Sequence, residues 1–131
     1  MKNNLVTDSA YKKNILFVDD EEALIKSTEM LLKRNGYEVT VAQRSKEALR
    51  LVQAVNDKFD LLITDMNMDQ INGIDLGKEV KQIAPDIPII LCTGDVPVDQ
   101  QEMIEAGIAE SIQKPFTMNE FMSIVNRLIG E

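Results

Sequence analysis

Five side chains that could transfer a phosphoryl group follow short apolar runs. Asp19 and Asp20 come after "ILFV", Asp65 after "LLIT", Thr93 after "IILC" and Lys114 after "AESIQ". Carboxylates bind Mg²⁺, and a lysine and a hydroxyl can hold an anionic group. Positioning and charge neutralisation do most of the work in phosphoryl transfer. One carboxylate can itself be the nucleophile and form an acyl phosphate.

The acids after the first apolar run stand unusually close together. Asp19 and Asp20 are followed at once by Glu21 and Glu22. Two like charges about 4 Å apart repel by roughly 4 kcal/mol at an effective dielectric near 20. A divalent cation would offset this repulsion for Asp19, Asp20 and Asp65, which are otherwise expected to destabilise one another. Glu21 and Glu22 are predicted to be first-turn charges that the helix dipole favours.

Composition narrows the possible functions. The 131 residues suit one domain, and the net charge of −8 argues against non-specific nucleic-acid binding. The chain has no histidine, which excludes Ser-His or Cys-His catalysis and imidazole metal sites within it, so any metal must bind oxygen. Cys92, the only cysteine, is predicted to be a small buried residue. No membrane span or signal peptide is recognisable, so a cytoplasmic location is expected.

Alternating strands and helices are predicted along the chain. The strands are "KNILFVDD", "YEVTVA", "FDLLITD", "IPIILCTG" and the weaker "AESIQ". Ser45 is expected to cap the second helix, whose buried face would carry Ala48, Val52 and Val55. "TMNE", from Thr117 to Glu120, is a capping box for the last helix. The helices are expected over 21–35, 45–55, 71–84, 98–106 and from 117 onward.

Five strands alternating with five helices predict an α/β fold. The sheet would be parallel with right-handed crossovers and the flavodoxin-like strand order 2-1-3-4-5, with helices on both faces. Residues 1–12 are interpreted as a polar tail or linker, and 13–131 as the domain. Ligands of such sheets bind outside the carboxyl ends of the strands. All five candidate side chains are therefore expected at one edge of the sheet.

Four segments resemble the signatures of a known family. "FVDDEE", "LLITDMNMDQINGIDL", "IPIILCTG" and "IQKPF" are similar to those of the two-component response-regulator receiver domain, of the CheY-like superfamily. The resemblance covers roughly residues 14–129, and the order and spacing of the four segments are specific. It implies the same five-stranded fold. It also implies a signalling domain that catalyses only its own phosphorylation and dephosphorylation.

The resemblance implies a role for each acidic residue. Asp65 would be the phosphoacceptor and would take its phosphoryl group from a histidine on a partner. Asp20 and Asp65 would bind Mg²⁺ together with the backbone carbonyl of Asn67. Asp19 would assist, mostly through a metal-bound water. Since the chain has no histidine, the donor would be a histidine kinase or a histidine phosphotransfer domain.

Further roles follow from the same resemblance. Thr93 would bond a phosphoryl oxygen and shift inward on phosphorylation. Lys114 would pair with the phosphoryl group and, before that, with Asp65. The Lys114–Pro115 bond is expected to be cis, a conformation realistic only before proline. The phosphorylated domain would switch an interaction surface formed by the fourth helix, fifth strand and fifth helix. The effector is unknown, and neither direct nucleic-acid binding nor membrane association is expected.

Four positions depart from the family pattern or vary within it. Asp69 stands where proline is usual, which is expected to loosen the loop and adds negative charge. Ser111 replaces a common aromatic residue, which puts the usual aromatic-switch output in doubt. Asp95 and Asn67 would tune how fast the phosphoryl group is lost to water. The chain could be a stand-alone receiver, a relay intermediate or part of a longer regulator or hybrid kinase, and Ser111 slightly favours a relay or hybrid-kinase receiver.

Other interpretations compete with this one. Asp20 could cap the first helix, Asp65 and Thr93 could be turn residues, and Lys114 could be a surface lysine. Met66 and Met68 are expected to pack within their loop. A Mg²⁺-dependent phosphatase resembling the haloacid dehalogenase family would need "DxDx[TV]" after the first strand, which "DDEE" does not match. A further alternative is a binding module that has this fold but is not phosphorylated. The set of Asp20, Asp65, Thr93 and Lys114 argues against it.

Overall fold

The computed structural model describes residues 12–55 and 58–130. The strands are β1 (Asn14–Val18), β2 (Glu38–Ala42), β3 (Leu61–Asp65), β4 (Ile89–Thr93) and β5 (Glu110–Gln113). The helices are α1 (Glu22–Arg34), α2 (Ser45–Ala54), α3 (Gly73–Ile83), α4 (Gln100–Glu105) and α5 (Met118–Ile129). All strand pairs are parallel, in the order β2-β1-β3-β4-β5. The predicted fold class is confirmed. The proposed tail, residues 1–12, lies outside the described residues except for Lys12.

The sheet has a core on each face. Successive side chains of a strand point to opposite faces, which explains why the apolar runs of β1, β3 and β4 are continuous. Ile15 and Phe17 belong to a cluster that α1 and α5 complete, whereas Leu16 and Val18 belong to one that α2 and α3 complete. Cys92 is buried as predicted, and burial raises the pKa of its thiol to about 12. The Cys92 thiol is therefore protonated at neutral pH and packs in the core as a small apolar group.

Strand register brings the candidate residues to one edge. Val18 of β1 pairs with Thr64 of β3, and Asp65 pairs with Cys92 of β4. Backbone hydrogen bonds continue just past the strands, from Met66 N–H to the Cys92 carbonyl at 2.8 Å and from Lys114 N–H to the Thr93 carbonyl at 2.8 Å. The strand ends therefore stay aligned where the functional side chains begin.

The helices show two corrections and one confirmation. Ser45 does not cap α2: the N-cap residue is Arg44, and the Ser45 hydroxyl donates to the Ile71 carbonyl instead. Val55 is not on the buried face, because α2 ends at Ala54 and the Val55 side chain is 49% exposed. The capping box of Thr117 and Glu120 is present with both of its hydrogen bonds.

Candidate functional site

Three carboxylates converge at the carboxyl edge of the sheet. One oxygen from each of Asp19, Asp20 and Asp65 lies within 4.8 Å of the other two. Asp19 and Asp65 are buried, with 1% and 7% of their surfaces exposed, while Asp20 faces solvent. Oxygen donors at this spacing fit Mg²⁺, which usually takes one or two carboxylates and completes its octahedron with water or phosphate oxygens.

Lys114 supplies the positive charge of the cluster. Its Nζ lies 2.9 Å from Asp19 Oδ2 and 3.5 Å from Asp65 Oδ2, so the expected pairing with Asp65 is present but is the longer of the two. The other oxygen of Asp19 accepts a hydrogen bond from the Glu21 backbone N–H at 3.0 Å. Both oxygens of Asp19 are therefore engaged by the protein, whereas Asp20 remains open to solvent.

Protonation equilibria at the site follow from this arrangement. Burial raises the pKa of Asp65; the positive charge of Lys114 opposes the rise, and the negative charge of Asp19 adds to it. Burial acts to lower the pKa of Lys114, but the hydrogen bond to Asp19 and the charges of Asp19 and Asp65 together outweigh it, so this pKa is raised. Lys114 therefore stays protonated, and the Asp65 carboxylate is held at an energetic cost that a cation would relieve.

The remaining candidates flank the carboxylates. Thr93 is the last residue of β4 and is partly exposed. A Cβ placed on Gly94 would lie 3.7 Å from Nδ2 of Asn67, which puts the Asn67 side chain beside the end of β4. Asp95 is exposed and, together with Lys114 and Gly94, lines a cavity of about 430 Å³. The cavity therefore lies beside Lys114, at the edge of the site.

The loop after Asp65 is shaped by a glycine. A Cβ on Gly73 would meet the Asp65 carbonyl oxygen at 2.5 Å, a contact that real side chains do not make. Gly73 therefore allows α3 to begin directly against the end of β3, with the Gly73 N–H bonded to the Met66 carbonyl at 2.9 Å. Sequence reasoning missed this residue. Its signal was Asn72-Gly73 at a helix start, where Asn72 caps α3.

Other predicted residues take their places around the site. Met66 and Met68 are partly buried against core clusters, as expected for loop packing. The Lys114–Pro115 peptide bond is cis, as the resemblance implies. Ser111 is exposed on β5. The N-cap residue of α1 is Glu21, so Asp20 is not the helix cap that the competing interpretation requires.

Comparison with known proteins identifies the family. The family model described as response regulator receiver domain matches residues 15–126. The chain belongs to this family. As a receiver domain it functions in two-component signalling. A response regulator receiver domain protein from Clostridium thermocellum has the same fold, with a TM-score of 0.84 and 32% identity over 89% of this chain and 94% of that one.

Curated relatives of this receiver domain are longer. Response regulator MprA of Mycolicibacterium vanbaalenii is 30% identical over 116 residues, which cover 88% of this chain and 49% of the relative. The alkaline phosphatase synthesis transcriptional regulatory protein PhoP of Bacillus subtilis is 32% identical over 118 residues, which cover 89% and 48%. The receiver domain spans about half the length of these relatives. Within residues 12–55 and 58–130, no helix is long and apolar enough to cross a membrane.

Proposed function

We propose that Asp65 accepts a phosphoryl group from a phosphohistidine of a histidine kinase or a histidine phosphotransfer domain. One observation carries this proposal: the Asp65 carboxylate lies within 4.8 Å of the Asp19 and Asp20 carboxylates and 3.5 Å from the Lys114 ammonium group. A carboxylate flanked by further oxygen ligands and by a fixed cation can bring an anionic phosphoryl group and a divalent metal together.

The transfer is a displacement at phosphorus. An oxygen of Asp65 forms a bond to phosphorus while the bond from phosphorus to the donor imidazole nitrogen breaks. The electron pair of that bond returns to the imidazole, and Asp65 becomes an acyl phosphate. Water later attacks phosphorus, which releases inorganic phosphate and restores the carboxylate. In this proposal the domain promotes only these two reactions of its own side chain.

Asp20, Asp65 and the backbone carbonyl of Asn67 would hold Mg²⁺. When bound, Mg²⁺ supplies positive charge that neutralises the transferring phosphoryl oxygens. Asp19 is less suited to direct coordination, because Lys114 at 2.9 Å and the Glu21 N–H at 3.0 Å already occupy its two oxygens. Its role would be to orient Lys114 and to assist the metal through water.

The remaining residues would bind the phosphoryl group and set how long it stays on Asp65. Lys114 pairs with it, and the Thr93 hydroxyl donates a hydrogen bond to one of its oxygens and moves inward as it does so. Asn67 and Asp95 flank the approach of water and would set the lifetime of the acyl phosphate. The output would pass through α4, β5 and α5 to an effector that is not DNA, with Ser111 in place of an aromatic residue. A cytoplasmic location is part of this proposal.

Labelling with a small acyl phosphate tests the assignment. The protein is incubated with acetyl phosphate and Mg²⁺, and its intact mass is followed over time. We expect one added phosphoryl group, and none with Asp65→Asn or with excess chelator. Asp86→Asn, an exposed acid outside the site, is the matched control and should label like the parent. Equal labelling of Asp65→Asn and the parent would contradict the proposal.

A further inference from the structure

Two hydrogen bonds tie the β3–α3 loop, residues 66–72, to the start of α2. The Ser45 hydroxyl donates to the Ile71 carbonyl at 2.6 Å. The Lys46 backbone N–H donates to Gln70 Oε1 at 3.0 Å. The paired residues are 26 and 24 positions apart in the chain, so both bonds join separate βα units. We call this pair of bonds the loop brace.

The loop brace supplies an acceptor that the N-cap residue of α2 does not provide. The N-cap residue Arg44 makes no side-chain cap, so the first amides of the helix need acceptors from elsewhere. Gln70 supplies one of them from the loop. Ser45 has none of its surface exposed, and a hydroxyl in such a position must find a partner or cost free energy. The Ile71 carbonyl is that partner, so the serine is a built part of the contact.

The loop brace acts on the segment that carries Asn67. A third hydrogen bond closes the loop, from the Gly73 N–H just after its last residue to the carbonyl of its first residue, Met66, at 2.9 Å. Within the closed loop, the side chains of Met68 and Ile71 pack against the core cluster shared with α2 and α3. The loop is therefore held at Met66 and Met68, on either side of Asn67, and again at residues 70 and 71.

The loop brace also lies next to the acidic cluster. Gln70 and Asp20 line the same cavity of about 190 Å³, together with Asp69. Asp20 is the most open of the three clustered carboxylates. A displacement of Gln70 would therefore move the wall that faces Asp20, as well as the backbone that continues to Asn67.

We propose that Ser45 and Gln70 are positioning residues for the Mg²⁺ site and act through the loop that carries the Asn67 carbonyl. Neither side chain contacts the metal or the phosphoryl group in this account, which rests on the proposed function. Mg²⁺ demands near-ideal octahedral geometry, so a ligand that is free to drift costs affinity. Groups that orient ligands from outside the coordination shell carry large effects for the same reason.

Calorimetric titration with Mg²⁺ measures the effect directly. We expect Ser45→Ala to weaken Mg²⁺ binding about 10-fold, the lower end of the effect for removing a group that orients a ligand. We expect a smaller loss of about threefold for Gln70→Ala, since its bond is exposed and worth less. Binding is measured well below the melting temperature of each variant, so that a loss of fold is not read as a loss of affinity.

Two control variants match the substitutions. Ser27→Ala removes an exposed hydroxyl that donates to the Leu24 carbonyl on α1, and Gln53→Ala removes an exposed amide on α2. Both should bind Mg²⁺ as the parent does. Labelling by acetyl phosphate adds a second readout: Ser45→Ala should need more Mg²⁺ for half-maximal rate but should regain the parental rate at saturating Mg²⁺. A purely structural serine would lower the melting temperature and leave both Mg²⁺ readouts unchanged.

The possible outcomes separate this inference from the proposed function. If the parent binds Mg²⁺ and labels on Asp65, but both brace variants stay within about twofold of it in affinity, the inference is wrong and the proposed function stands. If the parent neither binds Mg²⁺ nor labels, the proposed function fails and the inference falls with it. Weaker Mg²⁺ binding by Ser45→Ala alone among the serine variants supports the inference.

Discussion

The N-termini of α1 and α5 differ in how their backbone N–H groups find hydrogen-bond acceptors. α5 begins with a complete capping box, in which the Glu120 N–H bonds Thr117 Oγ1 at 3.0 Å and the Thr117 N–H bonds Glu120 Oε1 at 3.0 Å. The N-cap residue of α1 is Glu21, and it makes no side-chain cap. The buried acid Asp19 accepts the Glu21 N–H with one oxygen and pairs with Lys114 through the other.

The residues at the start of α5 stabilise the helix, whereas those before α1 also form the candidate site. Thr117 and Glu120 satisfy each other within one turn, and neither was a candidate for the chemistry. Asp19, in contrast, is paired with Lys114 across the sheet, and the two residues are 95 positions apart in the sequence. The start of α1 therefore depends on charge balance at the site, while the start of α5 depends on four consecutive residues.

Removal of Lys114 should give the largest change in stability. Lys114→Met keeps an apolar stem and leaves Asp19, 1% exposed, without its cationic partner. We expect a loss of about 3 kcal/mol, the lower end for breaking a buried pair, because the Lys114 side chain is 22% exposed. Urea denaturation at neutral pH without Mg²⁺ measures it.

The control for Lys114→Met is a lysine whose ion pair is on the surface. Lys33 pairs with Glu29 at 3.1 Å on α1, and its side chain is 58% exposed. Lys33→Met should change the free energy of unfolding by about 0.5 kcal/mol or less. Equal losses for the two variants would show that the pair at the site is no more important than a surface pair.

Mg²⁺ should stabilise the folded protein through the acidic cluster. At a concentration about ten times its Kd, binding to the folded state alone contributes about 1.4 kcal/mol. The melting temperature should therefore rise with Mg²⁺ in the parent, and much less in Asp20→Asn, which loses the open carboxylate. A parental melting curve that does not respond to millimolar Mg²⁺ would count against the cluster as a metal site.

Disruption of the capping box should affect stability alone. Thr117→Ala removes the acceptor for the Glu120 N–H and should cost about 1 kcal/mol. Mg²⁺ affinity and labelling should stay at parental values, since α5 begins outside the cluster. Ser123→Ala, an exposed position on the same helix, is the control and should change stability little. A change in Mg²⁺ affinity for Thr117→Ala would show that the two helix starts are not independent.

Asp65→Asn should make the protein slightly more stable at neutral pH without Mg²⁺, by an amount of the order of 1 kcal/mol or less. Burial raises the pKa of Asp65 in the folded state above its ordinary value of 3.8. The folded state therefore binds the proton more tightly than the unfolded state, and parental stability falls as pH rises from the ordinary value through the raised one. Asparagine does not titrate in this range.

The gain for Asp65→Asn should therefore depend on pH. It should reach its full value above the raised pKa of Asp65 and shrink as pH falls toward 3.8. Paired urea denaturation curves across this range measure it. A gain that is the same at every pH would show that removal of the charge is not its source.

Much of the fold and the cluster could be predicted, because each functional residue follows an apolar run that ends at the same edge of a parallel sheet. The capping box of Thr117 and Glu120 was predictable because it lies within four residues. Ser45 was misread for the opposite reason: a serine before a helical pattern indicates a cap, but its hydroxyl bonds Ile71 in another βα unit. The closer approach of Lys114 to Asp19 than to Asp65 also depends on tertiary geometry.

Asp69, which stands where the family usually has proline, also shows that local sequence does not predict tertiary contacts. Local sequence predicts a loose loop where proline is absent, and nothing in the pattern links Gln70 to the amide of Lys46. The structure nevertheless joins them at 3.0 Å. The brace variants, Ser45→Ala and Gln70→Ala, measure how far these bonds replace the missing proline in holding the loop.

The position of the phosphoryl group identifies the acceptor residue directly. The protein is labelled with acetyl phosphate and Mg²⁺, the acyl phosphate is reduced with borohydride to homoserine, and the digested peptides are sequenced by mass spectrometry. Asp19, Asp20 and Asp65 are close enough in space to compete for the phosphoryl group. We expect homoserine at position 65 alone. Homoserine at position 19 or 20, or at none of the three, would contradict it.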